Sequence, residues 1–63
     1  MTFEEAKKKA RNGIKVTHTY FTDEEYMTMV GDMIVFEDNA RIFADEWSKG
    51  KEYLNDGWSL YVD

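Results

Sequence analysis

Sixty-three residues with no cysteine and one histidine make a single domain, residues 1–63, whose chain buries only about 60% of its unfolded surface on folding. Disulfides are excluded and a structural metal is nearly so, which leaves association with further copies as the way to enlarge a small core. Thirteen acidic residues against eight basic ones give a net charge of −5, so a nucleic-acid backbone is repelled and is not an expected partner.

Thr2 and Glu5 have the spacing of a capping box, in which the threonine oxygen accepts from a free backbone amide and the glutamate reaches back to the cap. The spacing predicts a helix from there. Phe3, Ala6 and Ala10 share one face, Glu4 and Glu5 sit in the first turn, and Lys7, Lys8, Lys9 and Arg11 sit towards the end, in accord with the helix dipole. Gly13 is the expected C-cap, and the lysine run reads as a solvated helix face. From Ile14 to Phe21 the pattern predicts a strand, with Ile14, Val16, His18 and Tyr20 on one side and Lys15, Thr17, Thr19 and Phe21 on the other. Thr22 to Glu25 repeats the capping-box spacing and predicts a turn or a single helical turn.

Two apolar runs, Tyr26 to Val30 and Met33 to Phe36, flank Gly31-Asp32 and predict a β-hairpin. Glu37-Asp38-Asn39 is the next turn, Arg41-Ile42-Phe43 a short strand, and Ala44 to Lys49 a helix stopped by Gly50. Asn55-Asp56-Gly57 makes a further turn before a closing strand in which Trp58, Leu60 and Val62 alternate with Ser59 and Tyr61. The expected fold is α+β: an N-terminal helix packed on a small antiparallel sheet with a short helical insertion before the last strand. No run approaches the roughly 20 apolar residues of a membrane span, and the charged first residues are unlike a signal-peptide core, so no membrane association is expected and the location is read as cytoplasmic.

Catalytic equipment is sparse. His18 lies mid-strand between Val16 and Tyr20, where a buried, hydrogen-bonded histidine is the plain expectation. No acidic cluster has metal-ligand spacing, no serine or threonine stands in a nucleophile motif, and neither a metal nor a cofactor is expected. The aromatic residues say more. Tyr20, Phe21, Tyr26, Trp47, Tyr53, Trp58 and Tyr61 exceed what so small a core hides, so some reach a subunit interface or form a stacking platform for a nucleobase. A pocket between subunits, with Lys15, Arg41, Lys49 or Lys51 meeting phosphates, would reconcile an acidic chain with an anionic ligand.

The opening Phe3-Glu4-Glu5-Ala6 with Gly13-Ile14-Lys15-Val16-Thr17-His18, and the ending Leu54-Asn55-Asp56-Gly57-Trp58 with Ser59-Leu60-Tyr61, resemble the two ends of the phage Thoeris anti-defence type-two family. His18 stands at the family's usual arginine position, and Phe21-Thr22-Asp23 replaces its tryptophan-asparagine-glycine turn. The resemblance implies a homo-oligomer, a tetramer or a dimer, that sequesters cyclic nucleotide immune signals such as glycocyclic ADP-ribose or cyclic dinucleotides without cleaving them. It carries over to His18, Phe21, Asp56 and Trp58. With the aromatic and basic candidates, the expected ligand-binding set is Lys15, His18, Tyr20, Phe21, Tyr26, Arg41, Asp56 and Trp58.

Two further readings stay open. One is an acidic inhibitor that occludes a host protein surface with Asp23, Glu24, Glu25, Glu37, Asp38, Asp45 and Glu46, although these alternate with apolar residues and form no long stripe. The other is a small hydrolase acting through His18, which lacks an orienting partner motif.

Overall fold

The computed structural model describes residues 1–62, and in it Thr2 caps the first helix through the predicted box. Its hydroxyl accepts from the Glu5 N–H at 3.2 Å, and the Glu5 carboxylate accepts from the Thr2 N–H at 3.0 Å. Helix α1 runs from Phe3 to Arg11 and buries Phe3, Ala6 and Ala10; the two alanines let its axis lie close to the sheet. A Schellman motif closes it, with the Gly13 N–H on the Ala10 carbonyl at 3.0 Å and the Ile14 N–H on the Lys9 carbonyl at 3.1 Å. Gly13 takes φ +82°, the left-handed value this motif needs. Hydrogen bonds from the backbone N–H and then the hydroxyl of Thr2 hold the Glu5 carboxyl below its ordinary value, and the hydrogen bond and charge of Lys7 do the same for Glu4.

Five antiparallel strands follow: β1 (Val16–His18), β2 (Met27–Val30), β3 (Met33–Phe36), β4 (Arg41–Phe43) and β5 (Trp58–Leu60), side by side in the order β4-β3-β2-β1-β5. The β2–β3 hairpin closes at Gly31-Asp32 with Val30 opposite Met33. Helix α2 (Ala44–Trp47) and a 3-10 turn (Glu52–Leu54) carry the chain from one sheet edge to the other, where β5 pairs with β1 in the register His18 to Trp58, Thr17 to Ser59 and Val16 to Leu60. The fold is α+β, as the sequence pattern predicts. No helix among the described residues is long and apolar enough to cross a membrane.

Helix α1 packs over β1, β2 and β5, and the core of Val16, Met27, Met29, Ile34, Leu54 and Trp58 lies beneath it. The strand register and the two-residue alternation put Thr17, Thr28, Val30, Met33, Val35, Arg41 and Phe43 on the opposite face. None of these is buried, and Val30 and Phe43 are 61% and 52% exposed.

Four expectations are corrected. The strand predicted over 14–21 is only three residues long, because the Ile14 N–H belongs to the helix cap and the chain turns away from the ladder after the Thr19 N–H bonds the Gly57 carbonyl. The Phe21 N–H bonds back to the His18 carbonyl at 2.9 Å. That turn folds Phe21 against the core on the side of Val16 and His18 and not on the opposite face. Helix α2 ends at Trp47 instead of Lys49, and β5 ends at Leu60, two residues before Val62.

Candidate functional site

His18 and Trp58 face each other across the β1–β5 pair, and around them the two ends of the chain are tied together. The imidazole is 4% exposed. Its Nδ1 accepts from the Tyr20 N–H at 3.0 Å, so Nε2 carries the hydrogen and donates to the Asp56 carbonyl at 2.6 Å. The Trp58 indole donates to the Leu54 carbonyl at 2.6 Å and stacks on Phe3 with ring centroids 5.5 Å apart. The Phe3 N–H donates to the Asn55 carbonyl, and Met1 and Trp58 exchange a pair of backbone hydrogen bonds. Gly57 sits inside this knot at φ +93°, where an added Cβ would lie 3.0 Å from His18 Nε2. Only glycine combines that backbone conformation with so close an approach.

His18, Asp56 and Trp58 are therefore brought together, but with their buried polar atoms engaged: the imidazole joins Asp56 to β1, and the indole closes the 54–58 segment on itself. Asp56 serves through its carbonyl, while its carboxylate accepts from the Gly57 N–H. The ring available to a ligand is Tyr20, 72% exposed, whose centroid lies 6.1 Å from that of the 62% exposed Tyr53. Tyr53 is outside the expected ligand set. The two tyrosines are far apart in sequence and no spacing links them, so their pairing emerges only when the 3-10 turn packs beside the β1 end.

An open hollow of about 420 Å³ adjoins the knot, lined by Thr17, Thr19, Thr22, Phe21 and Tyr61 among others. Lys15 and Tyr26 form a second group with Tyr61: the Lys15 ammonium lies 4.6 Å from the Tyr26 ring centre and 6.0 Å from that of Tyr61. Tyr61 belongs to both, so the threonine-lined hollow and the Lys15 group adjoin. Arg41 does not join them. It lies on β4, at the sheet edge opposite β5, so within one copy it cannot share a pocket with Asp56 and Trp58.

Of the other basic candidates, Lys51 donates to the Trp47 carbonyl at 2.6 Å and lies over the Trp47 ring, and Lys49 is exposed. Among the described residues, no three histidine or acidic side chains gather as metal ligands. What the arrangement offers chemically is stacking, hydroxyl hydrogen bonds and a cation held between aromatic rings. Compared with protein-family models, with curated proteins and with solved structures, the chain matches none.

Proposed function

We propose that the chain is a non-catalytic cytoplasmic binding protein that, as a homo-oligomer, a tetramer or a dimer, sequesters a cyclic nucleotide immune signal such as glycocyclic ADP-ribose or a cyclic dinucleotide without cleaving it. One observation carries this reading. The stretches that resemble the phage Thoeris anti-defence type-two family, 3–6 with 13–18 and 54–61, pack on each other through the Phe3–Trp58 stack and the His18–Asp56 hydrogen bond. That knot supports the exposed Tyr20–Tyr53 ledge, which suits base stacking, while the threonine hydroxyls suit ribose and Lys15 suits phosphate. The uncovered sheet face with Val30 and Phe43 supports association between copies. In such an assembly, Arg41 meets the ligand of a neighbouring copy.

The test is to incubate the protein with individual cyclic nucleotides, remove unbound ligand, release the rest by heat and determine its mass. Intact nucleotide in stoichiometric amount is the expected result. Tyr20→Ala should weaken binding by roughly 1 to 3 kcal/mol, the worth of one stacked base, with no loss of melting temperature. Linearised nucleotide in excess over protein would replace this reading with a hydrolase.

A further inference from the structure

At the end of the sheet where β3 turns into β4, Phe21, Phe36 and Trp47 wall an open cleft of about 300 Å³. The Trp47 centroid lies 6.4 Å from that of Phe21 and 5.8 Å from that of Phe36. The remaining lining is Ala40 and three carboxylates, Glu25, Glu37 and Asp38, with no lysine or arginine among the lining residues. Two of the acids are fixed in place: the Glu25 carboxylate accepts from the Thr22 N–H at 2.8 Å and the Asp38 carboxylate from the Ala40 N–H at 3.0 Å. Each uses one oxygen in this way and has a second to offer. Asp32, Asp45 and Glu46 line a different hollow beside Phe43, but there Arg11 answers the carboxylates, whereas no basic side chain lines the cleft.

Aromatic faces and carboxylates side by side repel an anion and attract a cation. We propose that this cleft binds a guanidinium group. A guanidinium is flat and weakly hydrated, so it stacks on rings at low desolvation cost, and its fork of N–H donors matches carboxylate oxygens held at a rim. An ammonium is compact and strongly hydrated and gains less from an open, ring-walled cleft. The Trp47 ring already carries one cation of this chain, with Lys51 Nζ 5.3 Å from its centre. Because an anionic nucleotide is repelled here, the cleft stands apart from the nucleotide reading, and either can fail without the other.

The test is titration of the isotope-labelled protein with methylguanidinium, n-butylammonium, agmatine and N-acetyl-arginine-methylamide, followed by the indole N–H resonances of the two tryptophans. Trp58, whose indole is bonded to the Leu54 carbonyl, is the internal reference. The expected result is a saturable shift of the Trp47 signal at millimolar methylguanidinium, a static Trp58 signal, and weaker binding of butylammonium. The double variant Glu37→Gln with Asp38→Asn keeps an oxygen for the Ala40 N–H and should bind about fivefold more weakly, as two lost surface charge pairs imply. Blocked arginine binding more tightly than agmatine gives a protein side chain as the source of the group, and the reverse gives a free small molecule; both support the site. No saturable shift, equal affinity for butylammonium, or unchanged affinity in the double variant overturns the proposal.

Discussion

The knot around His18 and Trp58 and the uncovered face of β2, β3 and β4 are built on opposite terms. At the knot a tryptophan, a histidine and a phenylalanine are locked by ring contacts, and among the described residues no buried side-chain nitrogen or oxygen lacks a partner. On the sheet face, Val30, Met33, Val35 and Phe43 have apolar side chains and no covering layer. A chain this small cannot cover both sides of a five-stranded sheet with one nine-residue helix. The helix covers one side and completes the core there, and the other side stays uncovered, which is the face the proposed function gives to association. On that proposal stability and assembly rest on different surfaces, and substitutions should separate them.

The knot should break first and hardest. Trp58→Ala removes the ring that Phe3, His18, Phe21 and Trp47 all touch and is expected to cost about 3 to 5 kcal/mol in urea unfolding. His18→Ala strands the Asp56 carbonyl and the Tyr20 N–H, and roughly 2 to 3 kcal/mol should be lost on the same assay. Gly57→Ala forces an alanine into the left-handed region, worth about 1 to 2 kcal/mol, and pushes its Cβ against the imidazole. A Gly57→Ala protein as stable as the parent would mean that the 55–58 turn does not hold His18 as described.

The sheet face should respond in the other currency, that of mass. Phe43→Glu combined with Val30→Lys is expected to reduce the particle to a single chain by light scattering, with the near-ultraviolet circular dichroism of the knot retained. Smallest is the effect at the N-terminal cap of α1. Thr2→Ala should lower stability by about 1 kcal/mol, measured by thermal melting. The Glu5 carboxyl is held below its ordinary value of 4.5 by Thr2. Its contribution to the cap is therefore present above that value and fades as the pH falls through the lower folded one. Helical ellipticity should consequently fall less between neutral and acid pH in Glu5→Gln than in the parent.

Much of the scaffold is legible in local spacing because local hydrogen bonds set it. Thr2 with Glu5, Gly13, Gly31-Asp32 and the 55–57 turn each have partners within a few residues. Phe21 escapes the same reasoning because alternation assumes a ladder partner, whereas the Tyr20 N–H goes to the His18 ring and the Phe21 N–H to the His18 carbonyl. The 3-10 turn is held by a side-chain bond, the Trp58 indole on the Leu54 carbonyl, which apolar alternation does not register. At the candidate site, a buried His18 can be read from its apolar flanks, but its partner cannot: Asp56 binds it through the main chain, and a backbone carbonyl leaves no trace in residue type. The Tyr20–Tyr53 ledge and the cleft under Trp47 are likewise products of long-range packing.

Native mass spectrometry of the protein, alone and with glycocyclic ADP-ribose or a cyclic dinucleotide, tests most directly whether copies assemble on the bare face and hold a nucleotide intact. The expected spectrum has masses at multiples of the 7.5 kDa chain that carry unaltered nucleotide in fixed ratio. A bare single-chain mass with every nucleotide, or a bound nucleotide that has gained a molecule of water, would contradict it.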